Sequence, residues 1–431
     1  MRLLCLGWFS VVFLWNLASA VAQPDSPAAV PPAIEAPPPP SPPAPPPPVY
    51  APPAPPIQQF QPAEVTEQKA IASPSAGTAA TTSTLPLTMD EIPVSTGNSR
   101  VTLNLFGDTA FSIDSVTPKK PAFILGPLDL LFWGQFGNLS ASAEMAVEPQ
   151  PNGEVGLDLE RMFIRWHTER FFVDAGRTHT ELGYWNNAYH HGRWLQMPVE
   201  RPRGVLFEDE GGILPIHWVG ATAHYLAVTG EQQIEIIGAI GNGRGDIVDN
   251  IHAKDDTNSF KSLLLKVDFR GFGARDLHLG ISGVYDHIAP VTATVRPALP
   301  NEMIEELIGN GYLAYRGTDF TGIVEVYDVL HTAAGQRWNT VDAFALAAYR
   351  LDVVTPYLLF EVRRGDVATD PFFFPNPLVQ SEILGRNIEP TAGLRFDLNT
   401  WSALKLEYRG TFTGNSDNRV HRWTLNWSFG L

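Results

Sequence analysis

The sequence ALKLEYRGTF at residues 403–412 alternates apolar and polar side chains with a period of two. Its charged set is Lys405, Glu407 and Arg409, and leucine or tyrosine fills the positions between them. Successive side chains of a β-strand point to opposite faces of a sheet, so this pattern predicts a strand with one apolar and one charged face. A soluble sandwich would bury the apolar face, whereas a membrane barrel would turn it outward to lipid. The alternation alone leaves both folds open.

The same alternation continues from residue 100 to the C-terminus, and turn residues divide it into sixteen segments. The predicted strands are 101–113, 123–136, 139–148, 155–166, 171–177, 217–228, 232–241, 259–270, 275–287, 306–316, 319–330, 338–350, 356–364, 387–398, 402–413 and 420–431. An even number of strands places both ends of a closed sheet on the same side. Without the segment 306–316 the number of strands would be odd, and the two chain ends would lie on opposite sides.

The connections between these strands alternate in length, as short periplasmic turns and long external loops do in outer-membrane barrels. The short ones are Gly137-Asn138, His167–Arg170, Thr229–Glu231, Gly271–Ala274 and Asn399–Trp401, and the long ones are 178–216, 242–258, 288–305 and 365–386.

Three further features favour a membrane barrel over a soluble sandwich. Full charges occupy the polar faces, which suits a wet lumen better than a dry core. Aromatic residues gather near strand ends, as they do at a membrane interface; these are Trp338, Tyr357, Trp401 and Trp423. The chain also ends on an alternating, aromatic-rich strand at 420–431. We therefore predict an all-β fold for residues 99–431, a 16-stranded antiparallel transmembrane β-barrel.

The N-terminal segment has a different composition. Residues 1–22 are typical of a secretory signal peptide, with a basic start, an apolar run and a small-residue cleavage site; an uncleaved membrane anchor is the alternative. Residues 23–98 form a predicted disordered linker, whose Pro/Ala tract at 24–62 favours extended polyproline II. This tract is either a periplasmic spacer or a contact to the cell wall. The single cysteine, Cys5, falls within the signal, which leaves the mature chain without a disulfide.

Composition and motifs also bound the function. The chain carries 46 acidic and 30 basic residues and a net charge of −16, which argues against a nucleic-acid partner. It has neither a GxSxG nor an HExxH motif. We predict that it is not an enzyme. A barrel hydrolase with a Ser–His pair on its outer wall is the alternative.

The long connection 178–216 is unusually rich in rings and charges. It holds five aromatic residues between Tyr184 and Phe207, a composition that argues against disorder. We predict that it folds inward and narrows the pore, where its charges would filter solutes; solvated surface charge is the alternative. The predicted constriction residues are Arg193, Arg201, Arg203, Glu208, Asp209 and Glu210.

The polar faces of the last four predicted strands add a second charged set. The predicted pore-wall residues are Arg363, Arg395, Lys405, Glu407, Arg409 and Arg422. Bases outnumber acids on these faces, which indicates a slight preference for anionic solutes.

Three histidines in the connection 178–216 suggest a metal site. Zinc accepts imidazole and carboxylate ligands, and His179, His190 and His191 have Glu181 as a fourth candidate. Adjacent histidines on an extended chain point in opposite directions. We therefore predict no metal and no other cofactor, and expect these side chains to hydrogen-bond the loop to the barrel.

Several stretches together resemble a known family. They are FILGPLDLLFWGQFG (123–137), LDLERMFIRW (157–166), GYWNNAYHHG (183–192), GGILPIHWVG (211–220) and FDLNTWSALKLEYRG (396–410). They resemble outer-membrane porins of the phosphate-selective (O/P-like) type and related sixteen-stranded barrels. The resemblance implies passive diffusion of small polar or anionic solutes across a Gram-negative outer membrane. It also implies a third external loop, here 178–216, that folds into the barrel, and it makes a homotrimer a hypothesis.

A second function of a different class stays open. The barrel could be structural or adhesive, with the Pro-rich segment tethering the outer membrane to the cell wall. The partners that these hypotheses name are small solutes, outer-membrane lipid and lipopolysaccharide, and the cell wall through 24–62.

Overall fold

The computed structural model describes residues 100–115, 121–150, 153–189, 192–248, 256–375, 387–413 and 419–431. The predicted signal peptide at 1–22, the predicted linker at 23–98, and the two histidines at 190 and 191 lie outside the described residues.

Sixteen antiparallel strands form one closed barrel. They are β1 (Arg100–Asp114), β2 (Ala122–Phe136), β3 (Leu139–Pro149), β4 (Val155–His167), β5 (Phe171–His179), β6 (His217–Thr229), β7 (Gln232–Gly241), β8 (Ser262–Arg270), β9 (Leu277–Ile288), β10 (Ile304–Arg316), β11 (Phe320–Ala333), β12 (Gln336–Tyr349), β13 (Val354–Gly365), β14 (Asn387–Asn399), β15 (Ser402–Thr413) and β16 (Arg419–Gly430). Each strand pairs with its neighbours in the chain, and β1 closes the sheet by pairing with β16 from Phe106↔Gly430 to Asp114↔Arg422. The predicted fold is confirmed.

Several strands are longer than the sequence pattern indicates. The strand β5 continues to His179, two residues beyond its predicted end. The strands β11 and β12 run on to a two-residue turn at Ala334 and Gly335, whose φ angles are 49° and 75°. Two successive positive φ angles are those of a type I′ hairpin turn, which matches the twist of the strands. One connection at this end of the barrel is therefore tight, whereas the third loop spans residues 180–216.

The two faces of the barrel differ as predicted. On β15, Leu406 is 42% exposed, while its neighbours Lys405 and Glu407 are 0% and 3% exposed. The outer surface carries strongly exposed apolar side chains, such as Phe123 at 85% and Leu157 at 72%. Apolar residues thus point outward and charged residues inward. In a closed barrel every strand is paired on both sides, so no sheet edge leaves backbone N–H and C=O groups unpaired towards lipid.

The described helices all lie in the third loop. A helix, α1, covers Trp185–Ala188, and single 3₁₀ turns cover Arg203–Val205 and Glu208–Glu210. None of the helices in the described part of the chain has the length and apolar character needed to cross a membrane.

The outward face offers a direct test of lipid contact. Leu358 lies in the middle of β13 and is 64% exposed. We expect Leu358→Arg to lower the free energy of unfolding by ~2–4 kcal/mol, the cost of a basic residue near the bilayer midplane. Leu358→Met is the matched control. Reversible unfolding in lipid vesicles measures the difference, and equal stability of the two variants would contradict a lipid-facing Leu358.

Candidate functional site

The third loop lies inside the barrel and packs there through an apolar core. Trp185, Val205 and Ile213 of the loop are 0–1% exposed and belong to one cluster with Tyr327 of β11 and Phe344 of β12. The rings of Trp185 and Phe344 meet edge to face, with centroids 5.6 Å apart. Each buried apolar side chain of this size contributes roughly 1.5–3 kcal/mol. The loop is therefore a packed element of the barrel interior.

Two glycines permit the close approach of the loop to the barrel. Gly183 has a φ of 80°, and a Cβ there would lie 2.2 Å from the hydroxyl of Tyr327. Gly192 has a φ of 75°, and a Cβ there would lie 2.9 Å from the ring of Phe106. Only glycine fits both the backbone conformation and the space.

A buried carboxylate on β11 holds the first part of the loop. Glu325 accepts hydrogen bonds from the backbone N–H of Tyr184 and from that of Trp185, the latter at 3.1 Å. The hydroxyl of Tyr327 donates to its other oxygen at 3.0 Å. These bonds satisfy N–H groups at the start of α1, which have no partner within the helix.

A buried lysine on β15 holds the middle of the loop. Lys405 Nζ donates to the carbonyl oxygens of Arg193, Gln196 at 2.8 Å and Pro198 at 3.0 Å. Beside it, Glu407 accepts the backbone N–H of Val199 at 2.7 Å. This segment is irregular, so its backbone groups lack the partners that a helix or a sheet would supply. Inward-facing charges of the barrel supply them instead.

Two arginines of the barrel also donate hydrogen bonds to carbonyls of the loop. Arg395 Nη1 donates to the carbonyl of Trp194 at 2.6 Å. Arg363 pairs with Asp342 of β12 and donates to the carbonyl of Arg203 at 2.8 Å. Four of the six residues predicted to form the pore wall, Arg363, Arg395, Lys405 and Glu407, therefore contact the loop backbone or its neighbours. The other two, Arg409 and Arg422, contact the loop at Glu200, and both also line a cavity.

This cavity of about 360 Å³ lies between the loop and the inner face of the barrel. Its charges are segregated by their place in the fold. The strands β1 to β4 contribute five carboxylates and no base, here called the acidic wall: Asp108, Asp129, Glu148, Asp158 and Glu160. The loop, β15 and β16 contribute all five arginines, here called the arginine set: Arg193, Arg201, Arg203, Arg409 and Arg422.

The predicted constriction residues divide between this cavity and the loop's own packing. Arg193, Arg201, Arg203 and Glu210 line the cavity, together with Glu200. Glu208 turns away and accepts the backbone N–H of Ile216 at 2.6 Å, which ties the loop to the start of β6. Asp209 lies between Glu208 and Glu210 in the second 3₁₀ turn.

Ion pairs join the arginine set to carboxylates of the acidic wall and of the loop. Arg193 Nη1 lies 2.9 Å from a carboxylate oxygen of Asp108, so this pair joins the loop to β1. Arg422 Nη1 lies 2.8 Å from Glu200 of the loop. Burial opposes ionisation of Glu200, but Arg409 and Arg422 outweigh it and lower the pKa of Glu200 from 4.5 to about 2. Glu200 is therefore ionised at neutral pH.

Arg201 sits deeper than the other loop arginines. It donates to the carbonyls of Val205 at 2.7 Å and Tyr189 at 3.1 Å, and its guanidinium stacks 4.3 Å above the ring of Phe207. Burial lowers the pKa of Arg201 from 12.5 to about 10, which leaves it protonated at neutral pH.

Of the four candidate metal ligands, the structure describes His179 and Glu181. Glu181 accepts hydrogen bonds from Lys266 at 3.1 Å and from Asn187. The ring of His179 lies 3.7 Å from Glu144 and edge to face with His217. Among the residues that the structure describes, no group of three or more His, Cys, Asp or Glu side chains is arranged to hold a metal ion.

The acidic wall was not predicted from the sequence. A signal for it exists, because Asp108, Asp129 and Asp158 all fall within predicted strands. Whether these side chains meet at one cavity depends on the register between four neighbouring strands. The alternation along each strand gives the face of a residue but not this register.

Comparisons with known proteins bear on the fold. The barrel is similar to the anion-selective porin from Comamonas acidovorans, with a TM-score of 0.54 at 12% identity over 78% of this chain and 100% of that one. It is also similar to the outer membrane channel DcaP of Acinetobacter baumannii, with 0.53 at 11% over 77% and 97%. Salmonella typhi OmpF in complex with daunomycin gives 0.52 at 11% over 77% and 97%. No protein-family model matches the chain, and no curated protein matches it in sequence.

The lysine that holds the loop can be tested by deletion of its charge. Lys405→Met keeps the length of the side chain but removes the Lys405 donor from the carbonyls of Arg193 and Pro198, while the carbonyl of Gln196 keeps its hydrogen bond from Arg395. We expect the free energy of unfolding to fall by about 1–3 kcal/mol and trypsin to cut the loop faster in the detergent-solubilised barrel. Lys261→Met, at an exposed lysine, is the matched control. Unchanged protease resistance in Lys405→Met would refute the anchoring role.

The low pKa of Glu200 makes a signed prediction about pH. A carboxyl whose pKa is lower in the folded state stabilises the fold above its unfolded pKa and loses that contribution as pH falls. We therefore expect wild type to be more stable than Glu200→Gln above pH 4.5, with the difference vanishing as the pH falls towards about 2. Denaturant unfolding across this range measures it. Glu169→Gln, in the exposed turn before β5, is the matched control.

Proposed function

We propose that this chain is an outer-membrane porin, a passive diffusion channel for small polar solutes. The observation that carries the proposal is a charge-lined cavity between an inward-folded loop and the inner face of a closed barrel. Fixed charges in such a confined space act in a reduced dielectric, so they discriminate among solutes more strongly than exposed charges do. The outward apolar face supports an outer-membrane location. A diffusion channel requires no catalytic group, and we propose no enzymatic activity.

The lining argues for a weak preference for small cations over small anions. Seven carboxylates and five arginines line the cavity. Of the bases predicted on the last four strands, Arg409 and Arg422 line the cavity, whereas Arg363, Arg395 and Lys405 contact the loop. The selectivity proposed here thus differs from the slight anion preference that the sequence indicates.

Finer assignments stay predictions. Phosphate selectivity would need anion binding within the cavity, and the carboxylates of the acidic wall oppose it. A homotrimer and contacts with lipopolysaccharide are hypotheses that cross-linking in native membranes would test. A tether to the cell wall through 24–62 falls outside the described residues, and a cell-wall pull-down with and without 23–98 tests it.

Planar bilayers provide the test of the channel and of its selectivity. We expect stepwise conductance, with a reversal potential in a salt gradient that indicates weak cation preference. Arg422→Gln should raise the cation-to-anion permeability ratio and Glu148→Gln should lower it, each by no more than ~5-fold, the contribution of a partly exposed charge.

Glu169→Gln, outside the cavity, is the matched control and should leave the ratio unchanged. Absence of stepwise conductance would refute the porin. Conductance with identical reversal potentials in Arg422→Gln and Glu148→Gln would remove the cavity as the selectivity element.

A further inference from the structure

The segregation of charge in the cavity has a consequence for the class of solute. The acidic wall lies on four consecutive strands, β1 to β4. The arginine set lies on the loop and on β15 and β16. A solute inside the cavity thus meets five carboxylates along β1 to β4, and five guanidinium groups together with Glu200 and Glu210 along the loop, β15 and β16.

From this arrangement we propose that the preferred solutes are small zwitterions of the amino-acid class, whose ammonium group faces the acidic wall and whose carboxylate faces the arginine set. The inference rests on the proposed porin function and deepens it.

The physical reason is the difference between net charge and field. The seven carboxylates and five arginines of the lining nearly cancel in total charge, so a simple ion is attracted by one set and repelled by the other. Separated charges of opposite sign still produce a strong local field. A strong local field combined with a small net potential favours a dipolar solute over a simple cation or a simple anion. The field also orients the dipolar solute. A zwitterion also crosses a low-dielectric region without carrying net charge.

The arginines retain groups for a carboxylate. Arg193 and Arg422 keep 30% and 33% of their side-chain exposure at the cavity. A guanidinium presents five N–H donors, and these two residues pair with Asp108 and Glu200 through Nη1. Arginine suits planar carboxylates because its donors form a fork. The cavity, at about 360 Å³, has space for a solute as small as alanine, which displaces only a few waters at about 30 Å³ each.

Four solutes of nearly equal size separate the effect of charge from that of volume. Alanine is a zwitterion, alaninamide a cation below the pKa of its amino group, lactate an anion and lactamide neutral. All four have the same number of non-hydrogen atoms. Uptake of each isotope-labelled solute into proteoliposomes, with equal salt on both sides, gives its flux. The ratio of alanine flux to lactamide flux is the readout, because it cancels differences in pore width and in the amount of folded protein.

We expect alanine to exceed lactamide, lactate and alaninamide by about fivefold at low concentration, the effect of partly exposed ion pairs at the two ends of the solute. The advantage should saturate as alanine concentration rises. Arg422→Gln and Glu148→Gln change one charged set each, so both should lower the alanine-to-lactamide ratio towards one. Glu169→Gln is the matched control and should keep the wild-type ratio.

The outcomes distinguish the two levels of the proposal. Lactamide flux above that of protein-free liposomes together with an alanine-to-lactamide ratio of one would overturn the zwitterion inference and leave the porin standing. Faster passage of lactate or of alaninamide than of alanine would overturn it as well. Lactamide flux equal to that of protein-free liposomes would refute the porin and the inference together.

Discussion

The constraint on which the structure depends is that charged side chains pointing into a closed barrel need partners. Burying an isolated charge costs free energy of desolvation, and this cost falls only when hydrogen bonds or opposite charges surround the charge. Lys405 is fully buried and has three loop carbonyls around its ammonium group. The loop therefore does more than occupy the lumen. It supplies the three acceptors that surround the ammonium group of Lys405, and Lys405 in turn supplies a donor to the irregular backbone of the loop.

The loop has an apolar face that packs against the barrel and a charged face that lines the cavity. Trp185 and Ile213 bury an apolar surface against β11 and β12, which fixes the position of the loop within the barrel. Arg193 and Glu200 point to the remaining space and give it charge. Because an apolar core and buried hydrogen bonds hold the loop, the width of the cavity follows from packing. A loop held only by surface charge would leave that width undefined.

Charge in the cavity is arranged by strand order. The strands β1 to β4 are neighbours in the sheet, and each places a carboxylate at the same cavity. The arginine set comes from the other direction around the barrel and from the loop. The two sets meet where Arg193 pairs with Asp108, whereas Arg422 pairs with Glu200 of the loop. The lining of the cavity thus combines seven carboxylates with five arginines.

The sequence by itself determined the barrel, because the period of two along each segment records which side chains face lipid and which face the lumen. It determined the inward fold of the third loop as well, since its density of rings at 184–207 would not remain in solvent. Only the tertiary structure decided which inward charges line the cavity. Arg409 and Arg395 have the same place in the alternation of their strands, and both donate to carbonyls of the loop, yet of the two it is Arg409 that lines the cavity. The difference arises from where the loop packs across the barrel, and that depends on contacts between residues two hundred positions apart, which no local pattern contains.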